Sequence, residues 1–234
     1  MPRPDTLLAV TGSDPRPFAD QLSEGARAEL ETLGQPRSYQ SGRALFREDD
    51  DGSQVMLLRR GLVKVSVAAA SGREIILGVV DPGSLLGEIS AVDAGPRSAT
   101  VTALTEVEVL VLPHEKFVGF LHQNADAAHA LLQSLATTLR GANRRQLEFG
   151  TADSLGRVCQ SLCELADKYG EPTAAGRRFT MPMTQQDLAS FAGLSREAVV
   201  KGLGALRALG WIATSGRVVE LVDEAAIEAR AADA

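Results

Sequence analysis

Residues 87–100 read GEISAVDAGPRSAT, and the remainder of the chain is arranged around this stretch. A Gly-Glu step opens it, and a Gly-Pro-Arg-Ser turn that carries Arg97 and Ser98 closes it. An arginine on a turn can hold a phosphate through two parallel charge-assisted hydrogen bonds, and the serine beside it adds a hydroxyl donor. The two residues therefore predict a site for a small phosphate.

The first three residues of the stretch add complementary groups. Gly87 allows close approach to the backbone, and the amides from Gly87 to Ile89 stand at the start of a short helix, where negative charge is favoured. Glu88 suits a ribose hydroxyl because an ionised carboxylate only accepts hydrogen bonds. An alternative needs no ligand: Gly95-Pro96 is then an ordinary β-turn, and Arg97 forms a structural ion pair with Glu88.

The composition is that of an ordinary soluble globular protein. The chain has 234 residues, enough for one large or two modest domains, and 44% of them are apolar. No apolar run approaches the ~18 residues of a membrane span, and the first ten residues lack the apolar core of a signal peptide. We therefore expect a cytoplasmic protein that has no membrane partner.

The cysteines and histidines predict neither a metal site nor a catalytic centre. Cys159 and Cys163 lie four apart in a predicted helix, where they are poor disulfide partners and are interpreted as small buried residues rather than a redox pair. An iron–sulfur cluster needs four cysteines. The histidines, His114, His122 and His129, do not show the spacing of a zinc site.

The first half of the chain predicts a small β-structure. Residues 1–17 carry four prolines and are interpreted as a flexible leader, and Phe18–Leu33 has the spacing of a short amphipathic helix. From Tyr39 to Leu112 the hydrophobic period is two, in short runs separated by turn residues. We predict an antiparallel, jelly-roll-like β-roll over 18–123, with its one helical insertion at the opening stretch.

A long helix follows the roll, and residues 124–150 are assigned to this helix and a hinge. Its apolar residues recur at alternating steps of four and three, which is the seam of a coiled coil and favours a dimer. The seam residues assigned to the dimer interface are Leu132, Leu135, Leu139, Ala142 and Phe149. The alternative is a single amphipathic helix that packs on its own roll.

The second domain, over 151–225, contains the most specific motif, and 226–234 is assigned as a tail. Thr184 begins one predicted helix as part of a capping box, Gly193 makes a turn, and Ser195 caps a second helix. This is a helix-turn-helix, and the hairpin that follows it has the shape of a wing. The chain is therefore predicted to be α+β, with a β-roll, a long helix and a winged helix-turn-helix.

The second helix of the motif begins with residues suited to DNA. Arg196 is placed to donate to guanine, Glu197 to accept from cytosine, and Lys201 to reach another base or a phosphate. Thr184 would contact the DNA backbone. Although the net charge is −6, residues 177–217 contain six basic residues against two acidic ones. The alternative is a helical pair that binds nothing.

Both halves resemble one family, the Crp/Fnr transcription regulators, and in particular their cyclic-AMP receptor branch as found in actinobacteria. The resemblance covers about residues 18–222 and implies a homodimer that binds cyclic AMP and a roughly palindromic operator, with RNA polymerase as a further partner. It implies that the phosphate and ribose are bound by Gly87, Glu88, Arg97 and Ser98. It also implies that DNA is read by Arg196, Glu197 and Lys201.

The long helix departs from the pattern of that family. Where the best-known cyclic-AMP receptors have a Thr-Ser pair on adenine, this chain has Ala142 and Asn143, and an arginine usual nearby is Thr138. The Asn143 amide can pair with adenine because it both donates and accepts, or it is only a polar residue beside the seam. A regulator without a ligand or with another ligand, and a nucleotide sensor that acts through protein contacts, are the alternative functions.

Overall fold

The computed structural model describes residues 16–151 and 153–232, with side chains throughout except at 146–152. Of the leader expected over 1–17, only residues 16 and 17 lie within the described residues. The predicted first helix divides in two: a 3₁₀ helix over Phe18–Gln21 and helix α1 over Glu24–Leu33. Ser23 separates them, because its side chain accepts a hydrogen bond from the amide of Ala26 and thereby caps α1.

The roll consists of two four-stranded antiparallel sheets. The first sheet has the order β1-β8-β3-β6, and the second has the order β2-β7-β4-β5, which leaves β5 at an edge. The strands are β1 Gln35–Tyr39, β2 Ala44–Phe46, β3 Gln54–Arg60, β4 Val63–Ala68, β5 Glu74–Val80, β6 Leu85–Leu86, β7 Thr100–Ala103 and β8 Val107–Pro113. The predicted β-roll is confirmed.

The apolar runs of β3 and β8 are continuous because both faces of their sheet are covered. Val55 and Leu57 of β3 pack with Phe117 and other residues of the helices, whereas Met56 and Leu58 pack into the interior between the two sheets. Successive side chains of a strand point to opposite faces, so one strand serves both cores. Helix α2, Glu88–Asp93, is the helical insertion within the strands of the roll.

Two helices leave the roll. Helix α3 spans His114–Gln123, and the long helix α4 spans Ala125–Thr151. The break expected at 150–153 therefore begins later than predicted, because α4 remains helical through Thr151. Asp153 then starts the next helix by accepting a hydrogen bond from the amide of Gly156 at 2.8 Å.

The second domain, the head, spans 154–232 and contains the predicted helix-turn-helix. Its helices are α5 Ser154–Tyr169, α6 Gln185–Ala192, α7 Arg196–Ala208 and α8 Glu224–Ala232. Its sheet has the order β11-β12-β10-β9, with the strands β9 Glu171–Pro172, β10 Arg177–Thr180, β11 Ile212–Ser215 and β12 Val218–Leu221. The predicted wing is the β11–β12 hairpin, which turns at Gly216 with a φ of +59°.

Caps and a left-handed glycine define the ends of α6 and the start of α7. Thr184 and Asp187 form the predicted capping box, and Gly193 ends α6 with a φ of +65°. Ser195 accepts a hydrogen bond from the amide of Ala198 and caps α7.

The segment assigned as a tail is helical as far as Ala232, because α8 packs on α5 and buries an apolar side chain there. Within the described ranges, no helix is long and apolar enough to cross a lipid bilayer.

Candidate ligand site and nucleic-acid interface

Gly87 creates the space in which the candidate ligand site is built. It follows β6 with a φ of +77° and is the residue before α2, a backbone conformation that glycine adopts without strain. A Cβ atom at this position would lie 2.1 Å from Nη1 of Arg97 and 2.9 Å from its Cζ. The site therefore requires glycine at this position for two reasons: the backbone has a positive φ, and a larger residue would displace the Arg97 guanidinium.

Arg97 lies inside the roll and not on its surface. It is only 3% exposed, and its guanidinium donates to the carbonyl oxygens of Gly87 at 3.0 Å and Gln54 at 2.5 Å. The guanidinium also lies 4.3 Å from the centre of the Phe46 ring. Main-chain hydrogen bonds hold the residue in place, since its amide donates to Asp50 and its carbonyl accepts from Asp49, each at 2.9 Å.

Arg97 is a buried cation whose hydrogen-bonding capacity is only partly used within the described residues. Burial lowers the pKa of Arg97, and the carboxylates of Asp51, Glu88 and Asp50 act in the opposite direction. Its Nε is buried and makes no hydrogen bond among the described residues. A buried donor without a partner is uncommon because its desolvation is uncompensated. The arrangement has the chemistry of an anion site.

Glu88 stands beside this cation at the start of α2. Burial raises the pKa of the Glu88 carboxyl, while its own backbone amide and Arg97 act to lower it. The alternative of a direct Arg97–Glu88 ion pair is absent from the described chain, in which the two hydrogen-bonding nitrogens of Arg97 bind carbonyl oxygens. The carboxylate therefore remains an acceptor for another partner.

The structure brings only part of the predicted ligand site together. Gly87, Glu88 and Arg97 are in contact or close to one another, whereas Ser98 is exposed and the Ile89 side chain points partly to solvent. Asn143 is exposed on α4, and its side chain makes no hydrogen bond within the described ranges. The carbonyl of Gln54 and the ring of Phe46, which line the arginine, were missed because nothing in their spacing marks them.

The seam residues of α4 do not all face solvent: some are exposed, and one packs against the roll. Leu132 and Leu139 are 64% and 62% exposed, as an unpaired seam would be. Leu135 is instead half-buried against the core beneath the helices of the roll, because this part of α4 lies on its own domain. Ala142 is exposed, and the Phe149 side chain lies outside the described residues. Two large leucines thus form an exposed apolar stripe.

Helix α7 presents the predicted DNA-reading residues to solvent. Ser195, Arg196, Glu197 and Lys201 are all exposed, and so is Thr184 before α6. A backbone hydrogen bond and one from the Ser195 hydroxyl lower the pKa of Glu197, which makes it an ionised acceptor. This is a suitable surface for base edges and phosphates.

Fewer basic residues of the head are free to contact DNA than the excess of basic residues over 177–217 suggests. Arg177 pairs with Asp167 and Glu224 inside the head, and Arg217 donates to the carbonyl oxygen of Met181 at 2.8 Å. These two arginines therefore stabilise the head itself. The exposed cations of α7 are concentrated at Arg196, Lys201 and Arg207. Arg178 is exposed as well, but it pairs with Glu220 at 2.9 Å, so the basic surface lies mainly on α7.

Comparison with known families assigns both halves of the chain. The family model of the cyclic nucleotide-binding domain matches residues 36–124. The family model of the Crp-like helix-turn-helix domain matches residues 156–230. The first range contains the buried arginine site, and the second contains the capped helix pair and the wing.

Relatives match this chain over most of its length. The chain is 31% identical over 227 residues to the CRP-like cAMP-activated global transcriptional regulator of Mycobacterium tuberculosis, covering 97% of this chain and 99% of that protein. It is 30% identical over 194 residues to the cyclic AMP receptor protein of Thermus thermophilus, covering 83% and 87%. A crystal structure of a CRP-family transcriptional regulator from Thermus thermophilus superimposes with a TM-score of 0.71, at 28% identity, over 85% of this chain and 97% of that one. The chain belongs to the Crp/Fnr family of transcription regulators.

Proposed function

We propose that this protein is a cytoplasmic homodimeric regulator whose DNA binding is controlled by a cyclic nucleotide, with cyclic AMP favoured. The two relatives described above as cAMP-activated or as a cyclic AMP receptor support the choice of nucleotide. We assign the ligand to residues of the roll and one of the long helix: Gly87, Glu88, Ile89, Arg97, Ser98 and Asn143. No catalytic step is part of the proposal.

The buried guanidinium of Arg97 is the observation that carries the proposal. It sits among carbonyl oxygens and an aromatic ring, and its Nε has no hydrogen-bond partner among the described residues. A cation taken out of water without a directly bonded carboxylate is costly, and an anion that reaches it recovers much of that cost. Arg97 would bind the phosphate, and Glu88 would accept from a ribose hydroxyl.

On the head, the proposed DNA contacts are divided by role. Arg196 and Glu197 would read base edges, Lys201 would reach a base or a phosphate, and Thr184 and Ser195 would stand near the DNA backbone. A two-fold dimer pairs with a roughly palindromic operator whose half-sites lie about one helical turn apart. RNA polymerase is a further proposed partner.

Two binding measurements test the proposal. Calorimetry with cyclic AMP and cyclic GMP should show saturable binding to the unaltered protein, weakened about ten-fold or more by Arg97→Ala, since a charge-assisted pair is lost. Arg37→Ala is the matched control, because Arg37 is exposed on β1 of the same roll. Fluorescence anisotropy with operator DNA should then show tighter binding when the nucleotide is present. Equal nucleotide affinity in the two variants would remove Arg97 from the site.

A second candidate function is a regulator that responds to another molecule or to none. It is favoured by the long helix, where Thr138, Ala142 and Asn143 replace the residues that the best-known receptors use for the nucleotide. It is also favoured by the internal hydrogen bonds that Arg97 already makes. Unchanged DNA affinity with saturating cyclic AMP, in a protein that still binds its operator, would select this candidate.

A further inference from the structure

Arg145 connects four elements of the fold through one guanidinium. It projects from α4, and its Nη1 donates to two carbonyl oxygens of β5, at 2.6 Å to Leu77 and 3.4 Å to Ile76. Its Nη2 donates to the carboxylate of Glu164 in α5, at 2.7 and 2.9 Å to the two oxygens. The guanidinium also lies 4.4 Å from the centre of the Phe191 ring in α6. One side chain of the long helix thus binds both the roll and the head.

The head rests on the same edge of the roll through further contacts. Ile76 of β5 is 1% exposed and belongs to the core cluster of the head. Lys64 of β4 pairs with Asp187 of α6 at 2.7 Å, and Lys168 of α5 donates to the carbonyl oxygen of Val79 at 2.7 Å. The β4–β5 edge is therefore a docking surface for α5 and α6.

Docking of the head on the roll leaves the predicted DNA-contacting residues of α7 exposed. The contacts come from α5 and α6, while Arg196, Glu197 and Lys201 of α7 remain exposed. The docked head can therefore meet DNA while its direction is held by the roll. We propose that Arg145 is the positioning residue through which the long helix and the roll set the orientation of the head, an inference that rests on the proposed DNA-binding function.

Docking preorganises the head for binding to DNA. A dimer engages two half-sites at once only when its heads stand at the matching separation, and a mobile head loses orientational freedom on binding. Arg145 is suited to hold the head because its side chain is only 19% exposed and its guanidinium has acceptors in both β5 and α5. Its planar fork holds its donors in fixed directions, whereas the three donors of a lysine rotate about a flexible stem. Since it stands on the dimer helix, a rotation of that helix is transmitted to the head.

The test uses Arg145→Ala in the full-length chain. DNA affinity is measured at fixed salt on an operator selected from random-sequence DNA, and on versions whose half-site separation differs by one base pair. We expect affinity for the selected operator to fall about ten-fold, the size of other coupling effects, and the preference between separations to be lost. Arg140→Ala is the matched control, because Arg140 is exposed on the same helix and bonds to Thr137 of that helix. It should behave as the unaltered protein does.

A second variant and a second measurement keep the result independent of folding. Glu164→Gln alters a carboxylate that is 45% exposed, so the chain should fold, and it should give a smaller loss that does not add to that of Arg145→Ala. Hydrogen exchange without DNA should be faster in β5 and α6 of Arg145→Ala and unchanged in Arg140→Ala. Native affinity and separation preference in Arg145→Ala, or unchanged exchange, would overturn the proposal. Failure of the unaltered protein to bind DNA would instead overturn the proposed function, and the exchange comparison would still decide whether Arg145 holds the head.

Discussion

Replacing Gly87 by alanine tests directly whether the position of Arg97 in the ligand site depends on the missing side chain of Gly87. The new Cβ would lie 2.1 Å from Nη1 of Arg97, so the guanidinium has to move from its position between the carbonyls of Gly87 and Gln54. The alanine must also adopt a φ of +77°. Gly72 offers a matched control, because it has the same φ of +77° and nothing within 4 Å of its added Cβ.

The two variants separate backbone strain from the displacement of the arginine. An alanine in the left-handed region costs about 1–2 kcal/mol, and both variants bear this cost. Gly87→Ala additionally loses a hydrogen bond of a buried charged group, about 1.5–3 kcal/mol. We therefore expect the free energy of unfolding of Gly87→Ala to lie about 1.5–3 kcal/mol below that of Gly72→Ala, the value of that lost bond.

Urea denaturation followed by circular dichroism gives the difference in stability, and calorimetry with cyclic AMP gives the consequence for the site. Nucleotide affinity should fall in Gly87→Ala and stay near the native value in Gly72→Ala. Equal destabilisation by the two substitutions would show that the position of Arg97 does not depend on the space that the glycine leaves.

Three further predictions concern charge, assembly and DNA. Burial raises the pKa of Glu88 above its ordinary value of 4.5, so ionisation of Glu88 opposes folding and the native chain loses stability as pH rises through the raised pKa. In Glu88→Gln that loss should disappear from urea denaturation curves measured across the pH range, whereas curves parallel to the native ones would contradict it. Leu139→Asp places a charge in the exposed seam of α4 and should yield monomers in sedimentation experiments, while Leu209→Asp, at an equally apolar exposed position of the head, should not. Arg196→Ala should weaken operator binding by about 1–3 kcal/mol and relax the preference for one base, as measured by anisotropy on single-base variants; a uniform loss across all variants would mean a phosphate contact.

Local sequence patterns predicted the elements of the head well. The capping box of Thr184 and Asp187, the turn at Gly193 and the cap at Ser195 are all present as expected. Each is a relation between residues at most a few positions apart, and the backbone conformation they favour is decided by near neighbours. The roll was predicted from short apolar runs separated by turn residues, but a strict period of two fails in β3 and β8, whose runs are continuous because both of their faces are buried.

The candidate ligand site was predicted only in part. The grouping of Gly87, Glu88 and Arg97 followed from their short separation in the chain, but the depth at which Arg97 lies did not. Its acceptor at Gln54 is 43 residues away, and the ring of Phe46 comes from another strand. Such neighbours are set by the register of the sheets, which no local spacing encodes.

The order of the domains, the helix-turn-helix with its wing and the long helix follow from the sequence, because periodicity and caps act over a few residues. Tertiary packing places Leu135 against the roll, pairs Arg177 within the head, and brings Arg145 to carbonyl oxygens 68 and 69 residues away. These outcomes depend on how finished elements pack against one another. An arginine in a helix has the same local pattern whether it faces water or connects two domains, and packing alone distinguishes the two.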